Sequence, residues 1–154
     1  MGSFATPTLR IASASGSVTD RRFGFADLAA EEDVHFIVGD WMSEYNMTTR
    51  GGAKIGSKAT SSEFEPSFLE SIEPALERLA SRNIRVAVNA GASDTKKLHV
   101  VLVEMIASKG LGLKVAWVEG DEVSDAVKKG IESGNEFTSL THGAQCWMVV
   151  KTLH

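Results

Sequence analysis

Short apolar runs alternate with longer amphipathic stretches along the sequence. Four of the runs have the length and the β-branched content of strands, and small or polar turn residues follow each of them. They cover residues 8–14, 34–38, 84–88 and 113–118. All four are apolar on both sides, which is typical of strands that helices cover on two faces. A further β-rich run at 146–150 is a candidate fifth strand.

The stretches between the runs have the period of helices. Apolar residues recur at spacings of three and four in residues 20–32, 64–82, 98–106 and 123–131. Pro74 lies inside the second stretch, and a proline costs about 3 kcal/mol in a helix interior, so a kink or a break is expected near Glu73. Ser93 or Asp94 is the expected cap of the third helix, and Gly110 is expected to end it.

This alternation predicts an α/β protein: a Rossmann-like, three-layer domain with a mainly parallel sheet of four or five strands. A length of 154 residues fits a single domain over residues 1–154, with residues 1–7 as a flexible N-terminus. Residues 48–62 have no periodicity, and they predict a mobile loop. The lysines and the arginine of this loop fit either an anion-binding lid or a solvated connection.

Composition and charge exclude several classes of protein. Hydrophobic residues make up 43% and charged residues 23%, which is the balance of an ordinary globular protein. The formal net charge is -4, so the chain lacks the positive field that holds a nucleic acid. No stretch approaches the roughly 18 to 20 apolar residues needed to cross a bilayer, and no signal peptide is expected. A lone cysteine, Cys146, excludes an intramolecular disulfide, and the expected location is the cytoplasm.

Candidate functional residues follow the strands. In a parallel sheet the strand-to-helix loops meet at the carboxyl ends of the strands, and a ligand crevice forms there. The candidate catalytic residues at this edge are Asp40, Glu44, Asn89 and Glu119. The candidate ligand-binding residues are Ser13, Ser15, Gly16, Asp20, Trp41, Gly91, Ser93 and Asp121. The sequence therefore predicts one pocket with several carboxylates on its rim.

Asp40 and Glu44 are the first choice among the carboxylates. They lie one helical turn apart, so a helix that begins at Asp40 would place both on one face. Crowded carboxylates raise one another's pKa, which suits acid and base catalysis, or they bind a hard divalent cation, and the spacing leaves both open. For Asp94 and Asp121, which directly precede helical patterns, helix capping is favoured over catalysis.

No cofactor or metal is assigned from the sequence. The loop at 13–17 is rich in small residues but lacks the glycine patterns of dinucleotide-binding and phosphate-binding loops. The four histidines show no metal-ligand spacing, so a zinc site is not expected. The expected ligand is therefore a small-molecule substrate.

Four ordered motifs resemble one known family. They are Ala14-Ser15-Gly16 followed by Asp20-Arg21, GDWMSE at 39–44 followed by Met47, NAG at 89–91, and VEGD at 118–121. This arrangement is similar to the N-terminal part of the acyclic terpene utilisation protein A (AtuA) family. Ser13 and Thr19 replace an asparagine and a glycine of the family pattern, and ASDT at 92–95 stands where the family has G-x-N-P. The chain therefore resembles a shortened and diverged relative.

The resemblance implies a role in terpenoid or acyl-type metabolism, through acyl thioester intermediates. The expected function is a non-redox enzyme of the isomerase, lyase, hydratase or cyclase type, with Asp40 and Glu44 as acid and base. Asn89, Ser15 and nearby backbone amides would hold a substrate oxygen. The alternative is a non-catalytic module that binds a ligand or mediates oligomerisation.

The oligomeric state follows from the edges of a small parallel sheet. Edge strands present unpaired backbone groups, and 154 residues leave little chain to cover them. A homodimer is therefore expected, with residues 146–150 as a contact segment.

Overall fold

The computed structural model describes residues 8–15, 19–56, 64–120 and 123–138, without the side chains of Ser15 and of residues 51–56. Its strands are β1 (Ile11–Ser15), β2 (Phe36–Gly39) and β3 (Arg85–Val88). Its α-helices are α1 (Gly24–Glu31), α2 (Glu44–Gly56), α3 (Pro66–Ile72), α4 (Leu76–Arg82), α5 (Thr95–Ser108) and α6 (Ser124–Glu132). A 3-10 turn at Glu73–Ala75 joins α3 to α4, so these two form one interrupted helical segment.

The three strands form one parallel sheet in the order β1, β2, β3. This confirms the α/β class and the parallel sheet predicted from the sequence. In the register, Gly39 at the end of β2 pairs with Val88 at the end of β3. The residues that follow this pair, Asp40 and Asn89, therefore leave the sheet side by side.

One face of the sheet carries the hydrophobic core. Ile37 on this face is fully buried, and the core cluster joins it to Phe25 of α1, Phe68 of α3 and Trp41. The Trp41 ring stacks on Phe25 at 5.8 Å between centroids and meets Phe68 edge to face at 5.2 Å. Such aromatic pairs contribute about 0.5–1.5 kcal/mol each beyond their burial. The aromatic cluster therefore fixes α1 and α3 against the sheet.

The opposite face is open over the described residues, so the described part of the chain shows two layers of the predicted arrangement. The side chains of this open sheet face are exposed or half-buried: Ile11, Ser13, Phe36, Val38, Arg85 and Ala87. Connections between parallel strands are almost always right-handed, so strands that follow one another side by side place their connecting helices on one face. Helix α1 accordingly contacts both α3 and α4.

The fourth predicted strand, at residues 113–118, does not join the described sheet. Leu111, Leu113 and Val115 nevertheless pack on the core at alternate positions, as they would in a strand. The predicted coverage on both sides is therefore not seen, because one side of residues 111–115 packs on the core and residues 116–118 are exposed. The candidate fifth strand at 146–150 lies outside the described residues.

Helix α2 overturns part of another prediction. It includes residues 48–56 of the predicted mobile loop, and residues 57–62 lie outside the described part of the chain. Adjacent threonines and adjacent glycines give this helix a low intrinsic propensity, which is why the sequence pattern did not indicate it. The bond from Asn46 to the Trp41 carbonyl oxygen and the ion pair of Arg50 with Glu65, fifteen positions away, stabilise it instead.

Local sequence signals correctly predicted the break after α3 and both ends of α5. The 3-10 turn around Pro74 interrupts the helix predicted over 64–82, which confirms the expected break. Asp94 caps α5 by accepting a hydrogen bond from the Lys97 backbone N–H at 3.0 Å, and Gly110 follows this helix at a φ of 65°. Within the described ranges, no helix has the length and apolar character of a membrane span.

Candidate functional site

Asp40 and Asn89 meet at the carboxyl edge of the sheet. Asn89 donates from Nδ2 to Asp40 Oδ1 at 2.7 Å, and its Oδ1 accepts from the Trp41 backbone N–H at 2.6 Å. The Met42 backbone N–H donates to the same Asp40 oxygen at 2.9 Å. These bonds, here called the Asp40–Asn89 clasp, tie the end of β3 to the loop that follows β2.

The clasp controls the charge of Asp40. The hydrogen bond from Asn89 and, after it, the one from the Met42 backbone N–H hold the pKa of Asp40 below its ordinary value of 3.8. Burial opposes them only weakly, because the side chain is exposed to solvent. Asp40 is therefore an ionised carboxylate at neutral pH, which can accept a proton but has none to donate.

A surface hollow of about 560 Å³ lies at the same edge. Its walls include Met47 of α2, Ala92, Ser93 and Asp94 of the β3–α5 loop, and Glu119 and Val123 beyond α5. The volume falls within the range of about 300–1,000 Å³ that small-molecule pockets occupy. The hollow combines apolar surface with two carboxylates, and its central loop is the one that begins with Asn89.

An aromatic contact supports Glu119 at the hollow. Trp117 Nε1 donates to Glu119 Oε2 at 3.1 Å, and the Trp117 ring lies 4.4 Å from the His99 ring, measured between centroids. His99 Nε2 lies 3.2 Å from the Val115 carbonyl oxygen. Helix α5, which carries His99, thereby positions the segment that carries Glu119.

A buried ion pair lies between α2 and the start of α3. The Glu65 side chain is 3% exposed, and its Oε2 accepts from Arg50 Nε at 3.0 Å and Arg50 Nη2 at 2.7 Å. Its Oε1 accepts from the backbone N–H and the hydroxyl of Ser67 at 3.1 Å and 2.7 Å. Burial raises the pKa of Glu65, but the bonds from Ser67 and Arg50 outweigh it, so the pKa lies below the ordinary 4.5. Glu65 is therefore charged although it is buried.

Comparison with known families decides the relationship of this chain. The family model described as "Acyclic terpene utilisation family protein AtuA" matches residues 9–152 of the 154-residue chain. The chain belongs to the AtuA family. This confirms the resemblance found in the sequence motifs, and it implies a role in acyclic terpene utilisation. Comparison with curated proteins and with solved structures found no significant match.

The AtuA-family chain brings part of the predicted site together. Asp40 and Asn89 meet in the clasp, and Ser93 and Glu119 line the hollow. Glu44 is the first residue of α2 and is exposed, whereas Asp40 lies in the preceding loop. The prediction that Asp40 and Glu44 share a helix face is therefore wrong, because the helix starts four residues later than that pairing requires.

Two residues predicted to bind a ligand, Trp41 and Ser13, occupy other positions. Trp41 is 2% exposed and belongs to the core, where its ring lies so close to Gly39 that a Cβ there would collide with it. Ser13 lies opposite Val38 on the open sheet face. Asp20 is exposed in the turn ahead of α1, which begins four residues after the predicted start. Trp41 is therefore a packing residue of the site rather than part of its rim.

The β3–α5 loop is a tight backbone turn. A Cβ at Gly91 would come within 2.7 Å of Thr95 Cα, so a side chain does not fit there. Ala92 adopts a φ of 45°, in the left-handed region. Asp94 caps α5, which confirms the capping role favoured by the sequence. The loop therefore holds Asn89 and Ser93 in defined positions.

Several predicted groups cannot be placed. Gly16, Asp121 and the side chain of Ser15 lie outside the described residues. In the described ranges, no group of three or more His, Cys, Asp or Glu side chains is placed to hold a metal ion. The predicted rim of carboxylates is represented there by Asp40 in the clasp and by Asp94 and Glu119 in the hollow.

Glu65 is the main residue that the sequence analysis missed. Arg50, a cation of the predicted lid, pairs with Glu65 fifteen positions away. A local signal did exist, because Pro66 favours the first position of a helix and so marks Glu65 as its cap. No local pattern names Arg50 as the partner, since α2 itself was not predicted.

Proposed function

We propose that this chain binds the acyl thioester of an acyclic isoprenoid acid at the carboxyl edge of the sheet and moves a proton on it without redox chemistry. The reaction would be of the isomerase, lyase, hydratase or cyclase type. The observation that carries the proposal is the Asp40–Asn89 clasp, which keeps an exposed carboxylate ionised beside Asn89, the first residue of the loop that lines the hollow.

Asp40 acts as the proton acceptor. Its lowered pKa makes it a weak base, so the carbon that loses the proton must be acidified, as is the carbon next to a thioester carbonyl. The proton passes from this carbon to the Asp40 carboxylate, and it returns to the carbon chain or exchanges with solvent. Glu119 is the candidate second group for proton transfer, because it lines the hollow and Trp117 orients its carboxylate.

The hollow suits both parts of such a substrate. Met47, Ala92 and Val123 supply apolar surface for a branched hydrocarbon chain. Ser93 and Lys96 supply polar groups for the acyl headgroup. The family's role in acyclic terpene utilisation favours an isoprenoid chain over a straight one.

Asp40→Asn is expected to slow proton exchange on the substrate by at least about 100-fold, the lower limit of a typical general base contribution. The measurement is deuterium uptake by mass spectrometry, in D2O, from a panel of acyclic isoprenoid acids and their coenzyme A thioesters. Asn keeps the shape of Asp, so circular dichroism should show the same fold.

Asp33→Asn is the matched control for this experiment. Asp33 pairs with Arg10 at the amino end of β2, and its side chain is 82% exposed. We expect this variant to exchange protons at the rate of the unmodified chain. Uptake by Asp40→Asn at that same rate, or no uptake by the unmodified chain from any member of the panel, would contradict the proposed function.

A second candidate function, assembly with another copy of this chain, is favoured by the open sheet face. Ile11 and the neighbouring Leu9 are each 62% exposed, and β1 is an edge strand of the described sheet. We expect a dimer at micromolar concentration by light scattering, and a monomer for Ile11→Lys. Val103→Lys, on a 43% exposed position of α5, is the control that should remain dimeric. A monomeric unmodified chain refutes this candidate.

A further inference from the structure

We infer that Arg50 and Glu65 are positioning residues for Asp40, because they close a ring of contacts that holds the Asp40–Asn89 clasp in place. Neither of them belongs to the clasp itself. The role of Asp40 as a proton acceptor rests on the proposed function. The ring of contacts does not depend on that function.

The first half of the ring runs from the clasp to α2. Asn89 is followed by Ala90, whose carbonyl oxygen accepts a hydrogen bond from the Glu65 backbone N–H at 2.9 Å. The Glu65 carboxylate then accepts two bonds from the Arg50 guanidinium, at 3.0 Å and 2.7 Å. The end of β3 is thereby connected through Glu65 to helix α2.

The second half of the ring returns from α2 to the clasp. Asn46 lies one helical turn before Arg50, on the same face of α2. Its Nδ2 donates to the Trp41 carbonyl oxygen at 2.8 Å, while the Trp41 N–H donates to Asn89 Oδ1 at 2.6 Å. Trp41 is thus held through its N–H by the β3–α5 loop and through its carbonyl by α2. The residue next to Asp40 therefore depends on both arms of the ring.

Asn46 and Glu65, two of the side chains that close the ring, are shielded from water, and the Arg50 side chain is 24% exposed. Asn46 and Glu65 are each 2% exposed, and the bonds between Arg50 and Glu65 are charge-assisted, which makes them roughly twice as strong as neutral ones. When one link of a ring opens, the remaining links no longer fix the relative position of the parts. Loss of the bonds from Arg50 to Glu65 allows α2 to shift relative to the β3–α5 loop. Asn89 is then no longer held at hydrogen-bond distance from Asp40.

The test is the titration of the Asp40 carboxyl carbon, followed by NMR in the full chain. Arg50→Met opens the ring, and the double variant Arg50→Met, Glu65→Gln opens it without leaving a buried charge. In both, we expect the pKa of Asp40 to rise toward its ordinary 3.8, because the bond from Asn89 is the main cause of its lowering. Asn89→Ala removes that bond completely, so the pKa of Asp40 in this variant is the upper limit of the expected rise.

Arg82→Met is the matched control. Arg82 Nη1 donates to the Ala29 carbonyl oxygen at 2.6 Å, so it also bridges two helices, but next to the amino ends of the strands. General loosening of the fold would move the Asp40 pKa in this variant as well, and positioning through the ring would leave it unchanged. An Asp40 pKa in the folded double variant equal to that of the unmodified chain overturns the inference, and so does an equal rise in Arg82→Met.

This titration needs no substrate, so it separates the inference from the proposed function. A raised Asp40 pKa in the double variant supports the ring even if no isoprenoid thioester exchanges protons. An unchanged pKa overturns the ring even if Asp40→Asn abolishes that exchange.

Discussion

Phe68→Ala is expected to lower the free energy of unfolding by about 3–5 kcal/mol, the range for removing a buried aromatic side chain. Phe68 is 1% exposed, and its ring lies 5.9 Å from Phe25 and 5.2 Å from Trp41, measured between centroids. The loss combines buried apolar area, two aromatic contacts and the cavity that remains. Urea unfolding followed by circular dichroism measures it.

Phe23→Ala supplies the control, because it removes the same side chain from a surface position. Phe23 precedes α1 and is 62% exposed, so its loss should change the free energy of unfolding by less than about 1 kcal/mol. Equal effects of the two substitutions would show that the aromatic cluster is not the core of this fold. The site would be affected too, since Trp41 packs on Phe68 next to Asp40.

Arg50→Met is expected to cost about 3–5 kcal/mol of unfolding free energy at neutral pH, because it leaves a buried carboxylate without its cation. Adding Glu65→Gln should recover most of that loss, since the double variant has no buried charge. Arg10→Met is the control, because Arg10 and Asp33 form an exposed pair, with side chains 50% and 82% exposed, and such pairs contribute about 0–1 kcal/mol. An effect of Arg50→Met no larger than that of Arg10→Met contradicts the account.

The pH dependence of stability gives a second measure of the same pair. The folded-state pKa of Glu65 lies below its ordinary 4.5, so its contribution is complete above that pH and is lost as the pH falls through the folded-state pKa. The unmodified chain should therefore lose stability more steeply in acid than Glu65→Gln does. Asp40 contributes with the same sign, and a rise of its pKa on opening the ring in Glu65→Gln changes the difference between the two proteins in the same direction. Urea midpoints measured from neutral pH into acid test this, and parallel curves would refute it.

The parts of the fold that depend on local chemistry could be predicted from the sequence. Pro74 has no backbone N–H, and the break in the helix appears there. Asp94 precedes an apolar pattern, and it caps α5. Parallel pairing was predictable as well, because alternating strand and helix patterns leave few other arrangements.

The parts that depend on distant partners could not be predicted. Helix α2 has a poor propensity and is held by the bonds from Arg50 to Glu65, fifteen positions away, which no local pattern reveals. Residues 113–118 show the same limit, since an apolar run indicates a strand but not its pairing partner. In the described sheet, consecutive strands lie side by side, an order that places their connecting helices on one face and that composition does not encode.

The candidate site likewise has a part that could be predicted from the sequence and a part that could not. The rule that loops meet at the carboxyl edge correctly brought Asp40 to Asn89, because Gly39 and Val88 end their strands in register. The direction of Trp41 was not predictable, since a tryptophan after a strand can point to the rim or into the core. Trp41 points into the core because Gly39 leaves room for its ring and because the ring packs on Phe25 and Phe68.

The central claim is that the carboxyl edge of this sheet is the ligand site. Titrating the isotopically labelled chain with an acyclic isoprenoid coenzyme A thioester, followed by amide NMR, tests it most directly. The account predicts shifts for Met47, Ser93 and Val123 of the hollow and for the Asn89 side-chain amide of the clasp. Shifts confined to the open sheet face, or no shifts at saturating thioester, would contradict it.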